Sequence, residues 1–219
     1  MYKEIYEKIT NDKKIIDRYD NIKKFEDETG GWAYHDLNHI KRVEKIVDNV
    51  LKKLNFDEDF IYKEKIACIL HDTGAILGKE NHSYRSFLFA RDYFIDNNIE
   101  FDDKDLILDA IKNHSNGFDE NNLYGTILIF SDKLDMTKER LSDYGKRVKG
   151  NKEYSHVNKI NINIEKKFLE INFITDRKVN LKDINEYYFT KKIFKAIRSF
   201  SNKLNLKYKV LLDGKKWNV

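Results

Sequence analysis

The amino-acid sequence predicts a mainly α-helical protein: a helical bundle followed by a small C-terminal α+β unit of β-β-α-β order. Two observations lead to this prediction. Apolar residues recur at helical spacing through the first two-thirds of the chain. Near Gly150 the period changes to two, beginning with the alternating segment VNKININI at 157–164. We therefore expect a helical domain over residues 1–148 and an extension over residues 149–219.

The bundle contains a series of predicted helices separated by segments rich in Gly, Asn and Asp. In IKRVEKIVDNVLKKL (40–54) the apolar residues share one helical face. Turn residues interrupt the pattern, for example at the glycine pair 30–31 and in DTGAILGKEN at 72–81. The chain has no proline, so the boundaries depend on these residues alone. The predicted helices are 2–26, 40–54, 60–71, 83–97, 103–113 and 122–135.

The C-terminal unit is predicted from alternation and from one further helical segment. Residues 157–164 and FLEINFIT at 168–175 alternate in period two and are separated by three charged residues, which indicates a hairpin. A helix fits residues 183–203. The segment LKYKVLLDG at 206–214 is then the last predicted strand.

Composition limits the class of protein. With 219 residues, of which 41% are hydrophobic, the chain can bury a substantial core. Its apolar runs are far shorter than the roughly 18–20 residues that span a bilayer, so no membrane association is predicted. The N-terminal residues lack an apolar signal segment, so we expect a cytoplasmic protein. The single cysteine, Cys68, lies in an apolar run and is predicted to be a core residue.

The charge is unevenly distributed along the chain. Residues 1–136 contain 20 Lys and Arg against 28 Asp and Glu, whereas residues 137–219 contain 21 against 9. A balance of −8 therefore changes to +12, within a net charge of +4. A basic C-terminal part can bind a polyanion, present a solvated surface, or contact the acidic part of the chain.

Histidines and aspartates stand at the ends of predicted helices. The apolar run at 66–70 ends in His71 and Asp72, a pair that is costly to bury unless it is hydrogen-bonded, ion-paired or bound to a metal. His39 continues the inward stripe of its helix, and Asp132 lies in the apolar segment TILIFSDKLD. These side chains are therefore predicted to point into the core.

Further histidines follow the same pattern. His82 opens a predicted helix and His114 ends one, while His35 is four residues before the inward-facing His39. A single histidine at a helix end is more often a cap or a surface group. Together with the two aspartates, however, these histidines form a set of nitrogen and oxygen donors suited to a metal. His156 lies outside the helical region and is predicted to be on the surface.

These residues resemble the HD-domain superfamily of metal-dependent phosphohydrolases over about residues 30–140. The matching segments are YHDLNHIKRV, ILHDTG, ENHSYRS, IKNHSN and IFSDKLD. The resemblance implies a first divalent metal bound by four residues. They are His39, His71, Asp72 and Asp132.

The two added histidines match the HD proteins that hold two metals. The resemblance implies that His82 and His114 bind the second metal, with Asp72 bridging the two ions. A donor set of nitrogen and oxygen without a thiolate suits iron or manganese. His35 is expected to support the ligands rather than to bind a metal.

The resemblance also implies a reaction. The expected activity is hydrolysis of a phosphate ester or anhydride by a metal-activated hydroxide, because a metal lowers the pKa of bound water to about 7. Lys79, Arg85 and Lys133 are candidates to contact phosphate beside the catalytic Asp72, and the alternative for each is a solvated cation without a role in binding. Many relatives carry a lysine soon after the doublet, as in HDxxK, whereas Thr73–Ile76 stand there in this chain.

The expected substrate is a nucleotide or dinucleotide polyphosphate, by analogy with the dinucleoside tetraphosphatase branch of the superfamily. Two other functions are compatible with the sequence. The site could bind a metal or nucleotide as a sensor without turnover, or the basic C-terminal part could bind nucleic acid. The C-terminal unit could cover the pocket, form a homodimer interface or bind a polyanion.

Overall fold

The computed structural model describes residues 1–118 and 121–219. The predicted fold class, mainly helical with a small C-terminal α+β unit, is confirmed. The described helices are α1 (Tyr2–Thr10), α2 (Lys13–Thr29), α3 (Leu37–Lys53), α4 (Glu58–Leu70), α5 (His82–Asp96), α6 (Lys104–Asn113), α7 (Leu123–Leu134), α8 (Asn151–Tyr154), α9 (Leu181–Glu186) and α10 (Tyr188–Lys203). The described strands are β1 (Val157–Glu165), β2 (Phe168–Thr175), β3 (Lys207–Leu212) and β4 (Lys215–Lys216).

The single helix predicted over residues 2–26 is wrong, because the chain forms α1 and α2 there. Asp12 caps α2: its side chain accepts a hydrogen bond from the backbone N–H of Lys14 at 2.8 Å. An aspartate that satisfies a free N–H of the next helix favours a new helix start over continuation. The apolar pattern continues across this break, so periodicity alone does not show it.

Two central helices, α4 and α7, carry predicted ligands at their C-terminal ends. The last turns of α4, Ile66–Leu70, are fully buried and lead directly into His71. Helix α7 is buried from Tyr124 to its end at Leu134, since it is surrounded by α3, α4, α6 and α10. Apolar helices that end inside the molecule place the polar residues that follow in a buried position.

Helix α3 brings the third group of ligands to the same place. Its N-cap, Asp36, accepts a hydrogen bond from the backbone N–H of His39 at 2.9 Å, which fixes the first turn. The inward stripe then continues through Val43 and Val50, both completely buried. The predicted orientation of His39 toward the core is confirmed, because no part of its side chain is exposed.

The C-terminal unit is a four-stranded mixed sheet of order β1-β2-β3-β4. Strand β2 pairs antiparallel with β1 and parallel with β3, and α9 and α10 form the crossover between β2 and β3. The predicted helix over 183–203 is interrupted at Tyr187, whose backbone is extended. The predicted strand over 206–214 ends earlier, because Asp213 and Gly214 turn with positive φ into the short β4.

The C-terminal unit packs directly on the helical bundle. The rings of Phe200 on α10 and Phe130 on α7 stack with centroids 3.9 Å apart. Lys53 at the end of α3 donates to the Ile162 carbonyl of β1 at 3.1 Å. One cluster of buried apolar side chains includes residues of both parts. The boundary between residues 148 and 149 stays a prediction.

Two smaller predictions concern the burial of Cys68 and membrane-spanning helices. Cys68 is fully buried, as its apolar surroundings indicate. Across residues 1–118 and 121–219, every helix is too short or too polar to cross a lipid bilayer.

Glu64 on α4 is a charged residue type buried in the apolar core. Its side chain is completely buried, and neither carboxylate oxygen has a hydrogen-bond partner within the described residues. Burial raises the pKa of Glu64 well above the ordinary value of about 4.5. The folded protein therefore holds this carboxyl group neutral, whereas the unfolded chain ionises it above about pH 4.5. As the pH rises above about 4.5, the unfolded chain loses the Glu64 proton while the folded protein keeps it, so the free energy of unfolding falls.

Replacing Glu64 by methionine is expected to stabilise the fold. Glu64→Met keeps the length of the side chain and removes an unpartnered polar group, so the free energy of unfolding at pH 7 should rise by about 1–3 kcal/mol. The gain should be smaller near pH 4.5. Urea unfolding at both pH values measures this, and Glu64→Gln is the control that removes the ionisation but keeps a polar group. Loss of stability in the methionine variant at pH 7 would contradict the prediction.

Candidate metal centre

Five histidines have the same arrangement, with Nδ1 held by an oxygen atom. For His71, His82 and His114 this atom is a carbonyl oxygen, which can only accept, so Nδ1 donates and Nε2 keeps its lone pair in the neutral ring. This is the usual way a protein orients histidine ligands for a metal. The Nδ1 contacts are His39 to Asp135 Oδ2 (2.7 Å), His71 to the Cys68 carbonyl (2.7 Å), His82 to the Lys79 carbonyl (2.6 Å), His114 to the Ile111 carbonyl (2.7 Å) and His35 to Glu26 Oε1.

One carboxylate oxygen of Asp72 faces the first group of predicted ligands. Asp72 Oδ2 lies 3.3 Å from His39 Nε2 and 3.2 Å from His71 Nε2. Asp132 Oδ1 lies 3.3 Å from His39 Nε2 and 4.0 Å from His71 Nε2. The ligand atoms of His39, His71 and Asp132 are close enough together to hold one ion.

The other oxygen of Asp72 faces the second group. Asp72 Oδ1 lies 3.3 Å from His82 Nε2 and 3.4 Å from His114 Nε2, and these two nitrogens are 2.9 Å apart. His35, Asp72 and His82 also form a group that could hold an ion. A third group that could hold an ion joins His71 and His114 through Asp72, so the two sets of donors adjoin at this carboxylate.

Two buried atoms without hydrogen-bond partners in the described part of the chain are a second observation that favours a metal ion at this site. His71 Nε2 and Asp72 Oδ2 are buried and lack a hydrogen-bond partner among the described residues. Unpartnered buried polar atoms are rare in folded proteins, because each loses its hydration without compensation. A cation between them would satisfy both atoms.

The protonation states of Asp72 and His114 suit metal binding. Burial alone would raise the pKa of Asp72, but the charges of His71 and His35 and the contacts with His114 and His39 hold it well below the ordinary value. Burial lowers the pKa of His114 to about 3. Both groups therefore offer lone pairs at neutral pH.

His39 differs from His114. Burial and the nearby Arg140 lower the pKa of His39, but hydrogen bonds to Asp132, Asp135 and Asp72 outweigh them and raise it to about 9. Without an ion, His39 therefore carries a proton at neutral pH. Metal binding at this histidine must displace that proton.

Two residues that support the ligands were missed from the sequence. Asp135 accepts from His39 Nδ1 and from Arg42 Nε, the latter at 2.8 Å, so it orients the first ligand. Its signal in the sequence was its position three residues after Asp132, one turn later in the chain. Glu26, buried on α2, accepts from both the backbone N–H and the Nδ1 of His35, and nothing in the sequence spacing indicates this pairing.

Arg140 is a third residue that sequence analysis missed. It is buried, and its Nη1 lies 2.9 Å from His39 Nε2 and 3.4 Å from Asp132 Oδ1. The segment that carries it follows α7 and reaches the first ligand region, where the backbone N–H of Tyr34 donates to the Arg140 carbonyl at 2.8 Å. Arg140 therefore places a permanent positive charge beside the carboxylates of the site.

A cavity of about 720 Å³ opens onto the ligands. Asp72, Asp132, His35 and His82 line its inner part. Of the predicted phosphate-binding cations, Lys79 and Lys133 also line it, and Lys133 pairs with Asp132 Oδ2 at 2.5 Å. The other lining residues include Trp32 before α3, Asn116 after α6, Arg140 after α7, and Tyr187, Tyr188, Phe189 and Lys192 of the C-terminal unit.

The structure does not bring Arg85 to the cavity with the other two cations. Its guanidinium donates to three backbone carbonyls of the loop after the HD pair, those of Gly74, Gly78 and Glu80. These contacts hold the loop that carries Lys79. The predicted contact between Arg85 and phosphate stays a prediction, and its observed contacts favour a role in holding the loop.

The chain after Asp72 follows a path that requires a small residue. A side chain on Gly74 would lie 2.2 Å from the His82 carbonyl oxygen and 2.4 Å from the backbone nitrogen of Ser86. This close approach joins the short 3-10 helix Thr73–Ala75 to the start of α5, and thereby sets His82 beside Asp72. Ala75, where the HDxxK pattern has lysine, is completely buried.

A comparison with protein families agrees with the geometry. Residues 36–137 match the family model described as HD domain. This part of the chain is similar to an HD domain. The match includes all six predicted metal ligands, and it leaves out His35, Arg140 and the C-terminal unit. No curated protein matches the chain.

The HD domain therefore accounts for the helical core and for the buried His and Asp groups. HD domains form a superfamily of metal-dependent phosphohydrolases, and the groups found here are candidates to hold the metal. The roles of the individual residues stay predictions. They lead to two experiments on metal binding.

Removing the carboxylate behind His39 is expected to weaken the first metal position of the HD domain. Asp135→Asn loses the charged acceptor of His39 Nδ1, so affinity at that position should fall about 10–100-fold, with the second position retained. Competition with a metal-binding dye measures both affinities. Asp143→Asn, at a highly exposed position, is the matched control. Unchanged affinity in Asp135→Asn would show that Asp135 does not orient the ligand.

Metal binding to the HD domain is expected to strengthen as the pH rises. The pKa of His39 is raised to about 9, so one proton must leave below that pH for each ion bound there. The first affinity should increase about tenfold per pH unit between pH 6 and 8. Calorimetry in buffers of different ionisation enthalpy counts the released protons. An affinity independent of pH would mean that His39 is not a ligand.

Proposed function

We propose that the protein is a metal-dependent phosphohydrolase that acts on a phosphate ester or anhydride of a nucleotide or dinucleotide polyphosphate. The observation that supports it most strongly is the orientation of four histidines, each with Nδ1 occupied and Nε2 within 3.4 Å of an Asp72 carboxylate oxygen. A sensor without turnover needs a ligand site, but it does not need an open cavity that reaches two candidate metal positions.

In this proposal His39, His71, Asp72 and Asp132 hold one ion, and His82 and His114 hold a second that shares Asp72. A donor set of imidazole and carboxylate suits iron, manganese or another divalent ion of intermediate softness. Such ions would supply an activated water at neutral pH and would neutralise phosphate oxygens. His35, held by Glu26, offers a further donor to the second set.

The residues of the chain that surround the ligands would bind and orient the phosphate. Lys133 and Arg140 are buried cations that line the cavity next to Asp132. In a site with little water, such charges interact strongly with an anion. Lys79 is exposed in the loop that follows the HD pair, so it can contact a phosphate farther from the ions.

Two aromatic side chains at the cavity support a nucleotide as the substrate. Trp32 and Tyr188 both line the cavity, and about half of the Tyr188 side chain is exposed. Lys79 lies over the Trp32 ring, 4.8 Å from its centroid. A planar base can stack on such rings, while the phosphates lie against the lysine and the ligands.

The first experiment is metal analysis of the protein purified without chelator and with air excluded. The native chain should bind about two ions, Asp72→Ala should lose both because it is shared, and His82→Ala should lose chiefly one. His156→Ala is the control, since that histidine pairs with Asp176 away from the cavity. Retention of both ions in Asp72→Ala would contradict the assignment. Thermal unfolding of each variant checks that it is folded.

The second experiment is hydrolysis by the metal-loaded protein. We expect release of phosphate or nucleotide from at least one of the nucleoside mono-, di- and triphosphates and dinucleoside tetraphosphates, and we expect Asp72→Ala to reduce it to the uncatalysed background. If the native protein binds these compounds and metal but hydrolyses none of them, the site is a sensor and the enzyme proposal is wrong.

A further inference from the structure

The C-terminal unit, which lies outside the matched HD domain, supplies part of the cavity wall. Tyr187 and the first turns of α10 reach the cavity through Tyr188, Phe189 and Lys192. Helix α10 is fixed in this position because it packs along α7, the helix that carries Asp132. It also donates from Ser199 to the carbonyl of Phe118, in the segment after α6.

Lys192 is hydrogen-bonded to the loop that follows His114. Its Nζ donates to Asn116 Oδ1 at 3.2 Å, and Asn116 follows His114 by two residues. The neighbouring Ser115 hydroxyl lies 3.5 Å from His82 Nε2. Lys192 therefore reaches the cavity from α10 on the side of His82 and His114.

Four cationic side chains line the cavity that the described residues form, those of Lys79, Lys133, Arg140 and Lys192. Lys133 pairs with Asp132, but among the described residues neither Lys79 nor Lys192 forms an ion pair. Burial lowers the pKa of Lys192, and the charges of Lys133 and Lys79 lower it further, whereas Asp132 opposes the change. The lysines thus lie within electrostatic range of one another, and a bound anion between them would relieve their repulsion.

The acidic residues of the cavity wall do not cancel this charge. Glu26 is engaged by His35, and Asp72 and Asp132 face the candidate metal positions. Glu80 is the one other carboxylate of the described cavity lining, and it is exposed. A single phosphate could be neutralised by the ions and Lys133. Lys79 and Lys192 are then available for further phosphates.

We propose that Lys192 of the C-terminal unit, together with Lys79, binds the phosphates of the substrate that lie beyond the scissile one, and so selects polyphosphates over monophosphates. This inference rests on the proposed phosphohydrolase function and assigns a role to a part of the chain that the HD domain does not include. The C-terminal unit is then a component of the substrate site. Lys192 acts inside the cavity rather than on an outer surface that binds nucleic acid.

The test compares variants of Lys192 on substrates of increasing phosphate number. With the metal-loaded full chain, Lys192→Gln should raise KM for a nucleoside triphosphate and a dinucleoside tetraphosphate about tenfold or more. It should change kcat little, and KM for a nucleoside monophosphate less than twofold. Lys192→Arg should restore most of the preference. Lys191→Gln is the matched control, because Lys191 is the adjacent residue, is exposed and lines a different surface groove.

Binding of inorganic anions separates this proposal from the hydrolase proposal. The native protein should bind tripolyphosphate more tightly than orthophosphate, and Lys192→Gln should lose most of that difference in calorimetry while melting at the native temperature. If the native protein shows this Lys192-dependent preference without hydrolysing any substrate, the selectivity proposal stands and the enzyme proposal fails. If hydrolysis is intact and Lys192→Gln keeps the native preference for polyphosphates in both assays, the role of Lys192 is disproved.

Discussion

The arrangement of this protein depends on the cost of burying Asp72. Its carboxylate is almost completely removed from water, and a buried charge is stable only where opposite charges and hydrogen bonds replace its hydration. The structure meets this requirement from several directions, because histidines from four different segments converge on the two carboxylate oxygens. One oxygen remains without a hydrogen-bond partner among the described residues. A divalent cation beside this oxygen would therefore supply the positive charge that the buried carboxylate still needs.

Several elements of the fold serve to bring those histidines together. The α4 helix is apolar and buried up to His71, while Gly74 allows the following turn to pass close to the start of α5 and to His82. Arg85 then fixes the intervening loop through three carbonyl groups. Each of these features shapes only the local backbone, but together they place His71 and His82 beside the Asp72 carboxylate.

The candidate site divides into a region of predicted metal ligands and an outer cavity that the proposed function assigns to the substrate. The predicted ligands come from the segment matched as HD domain, and their orientation is set by oxygen atoms such as those of Asp135. The outer cavity is formed by other parts of the chain, in particular the segment before α3 with Trp32 and the start of α10 with Tyr188 and Lys192. Under the proposed function, this division separates the residues that would hold the ions from those that would select the substrate, so the two roles can be tested by different variants.

The sequence by itself determined the fold class, because a helical period and an alternating period follow different parts of the chain. It also indicated that His39, His71 and Asp132 are buried, since each stands on or directly after an apolar stripe, whereas the buried Asp135 was missed. The helix break at Asp12 was missed, because the apolar pattern continues across it and the cap acts on a backbone group that periodicity does not register.

Only the tertiary structure decided the partners of those ligands and the extent of the cavity. Glu26 meets His35 across a helix end, Arg140 meets His39 from a loop about a hundred residues away, and Lys192 reaches Asn116 from the C-terminal unit. Contacts of this kind depend on how helices pack and where loops cross. Sequence spacing reports only which residues share a helix or a strand, so contacts between separate elements become visible once the chain is folded.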